Sequence, residues 1–392
     1  MDKPWVSIIG LGEDGLSGLS DASREALGGA EIVFGGPRHL ALVGAGDRGR
    51  AWPVPFSVEP VLACRGQNVA ILASGDPFWF GAGSRLAAHL EREEWVAFPA
   101  VSTFQLAAAE LGWRMQEITC HGLHAAPFER LRAVLTKGHR AICLVRDGDA
   151  PQALAKWLTD QGFAANLTIL EALGGPNQRI RTTAAEAFTL TDIASPVAVA
   201  IEITAGIGLS RASGLEDSLF ANDGQITKRP LRALTLSTLA PRVGEMLWDI
   251  GAGSGSISVE WCLAGGRALA FELRPERAVN IHTNASRFGV DHRLTCIEGV
   301  ANESLASQPI PDAVFIGGGG TAALYDQLWS ILPAGTRIVA NGVTLETESL
   351  LAIQHAQRGG NLLRIELATA TPLGRMRGWD ASRPVVQWSV IR

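Results

Sequence analysis

The 392-residue chain has a single tyrosine, only five cysteines and no excess of positive charge. Each scarcity excludes something. Cys64, Cys120, Cys143, Cys262 and Cys296 are widely separated and follow neither a disulfide nor a metal-ligand rhythm. A disulfide-stapled scaffold is therefore excluded, and a reduced, cytoplasmic setting is the simplest reading. The formal net charge of −5 argues against a nucleic-acid partner, because neutralising a phosphate backbone calls for basic surface. A membrane span is also absent: the most apolar stretch, residues 195–210, contains Glu202 and is shorter than the ~20 residues a span needs. Residues 1–5 lead directly into a strand-like segment and do not resemble a signal peptide. The eight histidines show no paired ligand spacing, so no metal is expected. His121 and His124, three apart, read as surface or turn residues, or as neighbours on one helix face.

What is present is the composition of a globular enzyme, 47% hydrophobic and 19% charged, with length for two or three domains. The 44 glycines call for many tight turns. In the first half, short apolar runs at 6–9, 31–34, 68–74, 140–145, 166–171 and 197–203 read as strands. A helix capped by Ser20 or Asp21, and helices over 81–90 and 103–111, alternate with them. Residues 206–224, with Gly206, Gly208, Ser210, Ser213 and Gly214, read as a connection, which puts a boundary near 210: one domain over 1–210 and a second over 211–392. The second half repeats the strand–helix alternation, with strands at 246–250, 268–271, 294–297, 313–316, 338–340, 362–367 and 385–390. Both halves are thus α/β, the second Rossmann-like.

Asp249-Ile250-Gly251-Ala252-Gly253-Ser254-Gly255 lies between a strand and a helix. A first glycine there makes the tight turn, a second admits a ligand to the backbone, and a third lets the helix pack against the strand. Glu272 ends the next strand about 20 residues on, where a carboxylate can meet a ribose diol. Strand, loop, helix, strand and acid in that order predict a nucleotide-type cofactor. Dinucleotide loops usually read G-x-G-x-x-G, whereas this one reads G-x-G-x-G after an aspartate. Gly317, Gly318, Gly319 and Gly320 follow the fourth strand of this half, either as a flexible turn or where a flat substrate comes close to backbone.

The loop resembles the first motif of class I S-adenosylmethionine methyltransferases. That resemblance implies that Asp249 lies near the methionine amino group and that Gly251, Ala252, Gly253, Ser254 and Gly255 cradle the cofactor. Glu272 would hold the ribose, and Ala301 would lie beside the adenine. The first half is similar to a different family, the tetrapyrrole methylases, on three segments: residues 72–81 with Gly75-Asp76-Pro77, residues 99–109 with Ser102-Thr103, and residues 170–180. Gly12 opens its glycine-rich loop, which reads Gly12-Glu13-Asp14-Gly15 where that family usually carries Pro-Gly-Asp. Gly12, Gly75, Asp76, Pro77, Ser102 and Thr103 would contact a second S-adenosylmethionine. The pairing of the two folds resembles bifunctional methyltransferases of cobalamin biosynthesis, and residues 223–228, with Thr227 as a cofactor contact, and 341–347 also match.

The resemblance implies two S-adenosylmethionine sites per chain, a carboxylate-rich tetrapyrrole substrate, and methylation of macrocycle carbons 5 and 15. It also implies decarboxylation of the ring C acetate, which is assigned with carbon 15 to the second domain. Self-association is expected, since members of both families commonly self-associate. Arg375 and Arg377, in a glycine-flanked loop, are candidate anchors for substrate carboxylates, as are Arg179 and Arg181 in the first half. Trp79 is placed to pack or to stack on a ligand. No residue identifies itself as the catalyst of decarboxylation. Two other readings stay open: a class I methyltransferase acting on RNA or a small molecule with a regulatory first domain, and a cofactor-binding regulator without catalysis.

Overall fold

The computed structural model describes residues 4–392, so the start of the chain at residues 1–3 lies outside the described residues. The chain divides into two compact units. One takes the chain up to Phe128 together with Leu135–Ile207; the other takes Glu129–Val134 and Gly208–Arg392. Among the described residues no helix is long and apolar enough to cross a membrane.

The first unit contains two sheets. In order come β1 (Val6–Leu11), α1 (Asp21–Gly28), β2 (Ile32–Gly35), α2 (Pro37–Leu42), β3 (Gly49–Ala51), α3 (Glu59–Leu62), β4 (Val69–Ser74), α4 (Ala82–Ala87), β5 (Trp95–Phe98) and α5 (Thr103–Leu111). Their strands form an all-parallel sheet in the order β3-β2-β4-β1-β5. β1 and β4 are buried because apolar side chains cover both sheet faces: Ile9, Leu11, Val33 and Leu72 on one side, Val6, Ile8, Phe34 and Ile71 on the other. Then follow β6 (Thr119–Gly122), β7 (Arg140–Leu144), α6 (Ala150–Asp160), β8 (Ala164–Glu171), β9 (Arg179–Ala184) and β10 (Val197–Ala205). This second sheet runs β6-β7-β10-β8-β9 and is antiparallel except for β6 with β7. Ser20 caps α1 through its Oγ, which accepts from the Ser23 amide. Ser102 and Gln105 close a reciprocal capping box on α5.

The second unit contains α7 (Arg229–Leu239), β11 (Met246–Ile250), α8 (Ser256–Leu263), β12 (Arg267–Glu272), α9 (Pro275–Arg287), β13 (Leu294–Glu298), α10 (Ala301–Ser304), β14 (Ala313–Ile316), α11 (Ala322–Ile331), β15 (Arg337–Gly342), α12 (Leu345–Arg358), β16 (Asn361–Ile365), β17 (Ala368–Leu373), β18 (Met376–Ala381) and β19 (Val385–Ile391). Its main sheet runs β13-β12-β11-β14-β15-β19-β16, and β19 is antiparallel to both neighbours. The order reverses at β11, so the crevice between the C-terminal ends of β11 and β14 is a topological switch point, where open α/β sheets bind ligands.

Three expectations change. Residues 206–224 are not a free connection: Leu215 and Phe220 are buried in the second unit's core. His121 lies on strand β6, neither in a turn nor on a helix, while His124 is an exposed turn residue as expected; burial, helped by His139, pushes the His121 imidazole down to about 4. The glycine-flanked segment of Arg375 and Arg377 is not a loop throughout: Arg375 lies in the turn of the two-stranded ribbon β17–β18 and Arg377 on β18 itself.

Candidate functional site

In the second unit the loop after β11 is built from glycines that no other residue replaces cheaply. Gly251, Gly253 and Gly255 have φ of 70°, 61° and 70°, a region that L side chains enter at a cost. A Cβ on Gly251 would stand 2.5 Å from the Gly318 carbonyl oxygen, so the loop after β11 and the glycine run after β14 touch backbone to backbone. The third glycine acts differently from expectation. Gly255 faces the Ile281 side chain of α9, at 3.2 Å from a would-be Cβ, rather than the strand. Gly318 and Gly319 face open space, with nothing within 4 Å of a would-be Cβ.

Asp249, next to last in β11, is almost wholly buried. Its Oδ2 accepts from Ser258 Oγ at 2.6 Å and from the Ser258 amide at 3.2 Å. Its Oδ1 is buried without a hydrogen-bond partner among the described residues, as is Ser254 Oγ. Burial pushes the Asp249 carboxyl up to about 6, against the Ser258 hydrogen bonds that pull it down. An unpartnered buried carboxylate oxygen costs free energy, and a cation placed beside it offsets that cost. Glu272 accepts from the Gly253 amide at 2.7 Å and the Arg274 amide at 3.0 Å. A carboxylate has about four acceptor positions, so capacity remains for two hydroxyls of a diol. A cation-seeking acid, a glycine loop open to close approach and a diol-seeking acid around one switch point fit the amino and ribose groups of S-adenosylmethionine. Thr227 and Ala301 are half-buried, and Ala301 opens α10.

Arg375 and Arg377 are exposed at the tip of the β17–β18 ribbon, next to Leu373 and Met376. The ribbon connects the end of β16 to the start of β19, where Val386 pairs with Gly342 at the C-terminal end of β15. It therefore rises from the same sheet edge as Gly251 and Gly318.

In the first unit the loops after β1 and β4 and the chain after β5 meet. Gly75 has φ of 56°, and its Cβ would stand 2.6 Å from Ser102 Cα; a Cβ on Gly10 would stand 2.5 Å from the Ala100 nitrogen. Asp76 Oδ1 accepts from the Phe78 amide at 2.8 Å. Beside this junction is a cavity of about 300 Å³ whose wall includes His39, Ser74, Trp79, Ser102, Thr103 and His124. Trp79 both lines the cavity and packs on Phe104, with centroids 4.7 Å apart. Gly12 sits over the Asp14 side chain, 2.5 Å from a would-be Cβ, so in this chain the departure from Pro-Gly-Asp places a carboxylate inside the turn.

His39, which the sequence did not single out, contacts Ser74 Oγ through Nε2 at 2.9 Å. Burial, and secondarily Arg38, pushes its imidazole down to about 4, so the ring is neutral at physiological pH. Arg38 in turn pairs with Glu13.

Arg179 and Arg181 are not free to anchor a substrate. Both bind Glu171, whose side chain is fully buried: Arg179 Nη2 to Oε2 at 2.6 Å and Arg181 Nη2 to Oε1 at 2.9 Å. Glu171→Ala is expected to destabilise the first unit by about 1–2 kcal/mol, less than for a fully buried pair because the arginines left behind regain water, read as a lower Tm of that unit. Among the described residues no three His, Cys, Asp or Glu side chains gather as a metal site.

Comparison with known proteins follows the division into two units. A family model described as tetrapyrrole (corrin/porphyrin) methylases matches residues 6–188, and one described as precorrin methyltransferase domain matches residues 218–392. A precorrin-6Y C(5,15)-methyltransferase [decarboxylating] from Sinorhizobium sp is 46% identical over 99% of this chain and 96% of its own length. Two shorter relatives each match part of the chain. A probable cobalt-precorrin-6B C(15)-methyltransferase (decarboxylating) from Saccharolobus solfataricus is 38% identical over 34% of this chain and 71% of its own. A cobalt-precorrin-7 C(5)-methyltransferase from Salmonella typhimurium is 30% identical over 45% of this chain and 88% of its own.

Proposed function

The chain belongs to the family of precorrin-6Y C(5,15)-methyltransferases (decarboxylating), and from that premise we propose that each of its two units holds its own S-adenosylmethionine. The reaction is methylation of carbons 5 and 15 of precorrin-6Y with decarboxylation; the carboxyl lost, in this reading, is that of the ring C acetate, giving precorrin-8 in cobalamin biosynthesis. Membership in this family replaces an RNA substrate or a purely regulatory role as the reading of the chain.

The second unit carries carbon 15 and the decarboxylation, and the first carries carbon 5. Support comes from the two shorter relatives, in which these activities reside in separate proteins. The observation that carries the second site is the buried, unpartnered Asp249 Oδ1 two residues before the first of three positive-φ glycines. When bound, S-adenosylmethionine supplies an electrophilic methyl group on a sulfonium. Asp249 receives the amino group, Glu272 holds the ribose, and Ala301 and Thr227 border the remainder. The open backbone at Gly318 and Gly319, beside the exposed Gly317 whose Cα packs toward Phe315 and the Gly251 carbonyl, leaves room for a flat macrocycle, and Arg375 and Arg377 hold its carboxylates from the ribbon above that edge. In the first unit Gly12, Gly75, Asp76, Pro77, Ser102 and Thr103 border the second cofactor.

The chemistry asks mainly for alignment. A carbon–carbon bond forms at a nucleophilic macrocycle carbon as the carbon–sulfur bond breaks, and the macrocycle releases a proton. Holding the three atoms in line is a proximity effect. In the decarboxylation the electron pair of the broken bond passes into the conjugated macrocycle, and the remaining carbon takes up a proton.

Asp249 makes the second site pH-dependent in a direction that can be worked out. An acid raised to about 6 holds its proton below that pH, and only the ionised form attracts an ammonium group. Affinity of the second site for S-adenosylhomocysteine should therefore fall about tenfold per pH unit below 6 and level off above it. Asp249→Asn should bind weakly and lose that slope. Calorimetry across pH 5–8 reads both, and a wild-type affinity flat through pH 6 would contradict the assignment.

A further inference from the structure

Asn284 lies on α9 and is fully buried, in the stripe formed by Ala278, Ile281 and Ala285. A polar side chain at a core position needs partners. Asn284 uses both amide protons and its carbonyl oxygen. Nδ2 donates to the Ser254 carbonyl at 2.8 Å and to the Ala221 carbonyl at 2.9 Å, while Oδ1 accepts from the Ala221 amide at 2.8 Å. One of those partners is in the loop of residues 249–255. The other two are on the segment that precedes α7.

That segment is held at further points. Arg277, also on α9, donates to Asp223 Oδ2 and Gln225 Oε1, each at 2.8 Å. Arg232, fully buried on α7, donates to the Thr227 carbonyl at 2.5 Å and to Glu260 Oε1 at 2.6 Å. Glu260 Oε1 in turn accepts from the Leu215 amide at 3.0 Å. The Gln225 carbonyl stands 3.7 Å from a would-be Cβ on Gly253. Residues 221–228 thus run alongside the glycine loop, and their own side chains from Asn222 to Gln225 are exposed.

We propose that Asn284 is a positioning residue for the second unit's cofactor, locking residues 221–228 in register with the glycine loop so that the two together form the cofactor's binding wall. The inference rests on the S-adenosylmethionine site assigned above to residues 249–255. Asn284 contacts no reacting atom; it acts through Ser254 and Ala221. Its role is therefore in binding, before the chemical step.

Asn284→Asp tests this with almost no change of shape. The donor that faces two carbonyl oxygens becomes an acceptor, so the loop and the segment are pushed apart while the helix is retained. In the full chain, KM for S-adenosylmethionine in carbon dioxide release should rise roughly tenfold or more, with kcat at saturation within about threefold of wild type. Affinity of the first site for S-adenosylhomocysteine should not move. Arg277→Ala, which removes only the outer grip, should raise the same KM by a smaller factor and leave Tm unchanged.

A folded Asn284→Asp chain with wild-type KM overturns the proposal, and so does one in which kcat falls while KM stays. If Asn284→Asp does not fold, Arg277→Ala decides: a raised KM supports the proposal and an unchanged one overturns it. A wild-type chain with no S-adenosylhomocysteine bound in the second unit overturns the cofactor assignment itself, and this inference with it. That outcome is distinct from wild-type binding that the two variants leave untouched.

Discussion

Gly251→Ala should stop carbon dioxide release and one of the two methylations while the first unit keeps its cofactor. The added Cβ would meet the Gly318 carbonyl oxygen at 2.5 Å and the Gly318 carbon and nitrogen at 2.8 Å, at a φ of 70°. Left-handed backbone costs a non-glycine residue roughly 1–3 kcal/mol by itself. The contact with Gly318 adds to that, because both partners are main chain and neither can rotate away. The loops after β11 and β14 must separate, and with them Asp249 and the open backbone where the macrocycle lies. A loss of about a hundredfold or more in the rate of carbon dioxide release is expected, each ~1.4 kcal/mol being a factor of ten. Product mass spectrometry reads it as retention of the acetate carboxyl with at most one methyl gained. Carbon dioxide release within a few-fold of wild type would contradict the placement of the site.

Gly75→Ala is the corresponding change in the first unit. Its φ is 56°, and the new Cβ would stand 2.6 Å from Ser102 Cα and 3.0 Å from the Val101 carbonyl oxygen. Ser102 caps α5, so the clash is passed to the start of that helix and to the cavity wall formed by Ser102 and Thr103. Loss of S-adenosylhomocysteine binding at the first site by about a hundredfold is expected on the same reasoning. The second site should keep its affinity and its dependence on pH. Gly75→Ala with full affinity at both sites would remove Gly75 from the cofactor's surroundings.

The parts of these sites that were legible in the sequence are those fixed by local backbone demands. A glycine that must take positive φ, a strand ending in an acid and a serine just before a helix each act within a short span. The loop of residues 249–255, Glu272 and the Ser20 cap of α1 could be read for that reason. What was not legible depends on partners distant in sequence. Arg179 and Arg181 look like free cations until β8 brings Glu171 beneath them. The antiparallel sheet β6-β7-β10-β8-β9 was only partly visible, because half-buried strands such as β9 carry charged and polar residues at most positions. Residues 367–384 are rich in arginine, glycine and exposed side chains, so their pairing as a ribbon leaves little apolar alternation to find.

Asn284 did leave a trace. It is the one polar residue in the stripe of Ala278, Ile281 and Ala285, and such an interruption marks a buried hydrogen-bonding group. His39 left none, since a short helix of six residues has no clear apolar face to interrupt.

Two independent cofactor sites in one chain are the centre of this account, and calorimetric titration of the full chain with S-adenosylhomocysteine tests them most directly. Two molecules should bind per chain at neutral pH. Gly75→Ala and Gly251→Ala should each reduce the count to one, and the two variants should retain different sites, distinguished by the pH slope that only Asp249 confers. A single molecule per wild-type chain, or the loss of both sites through either substitution alone, would contradict it.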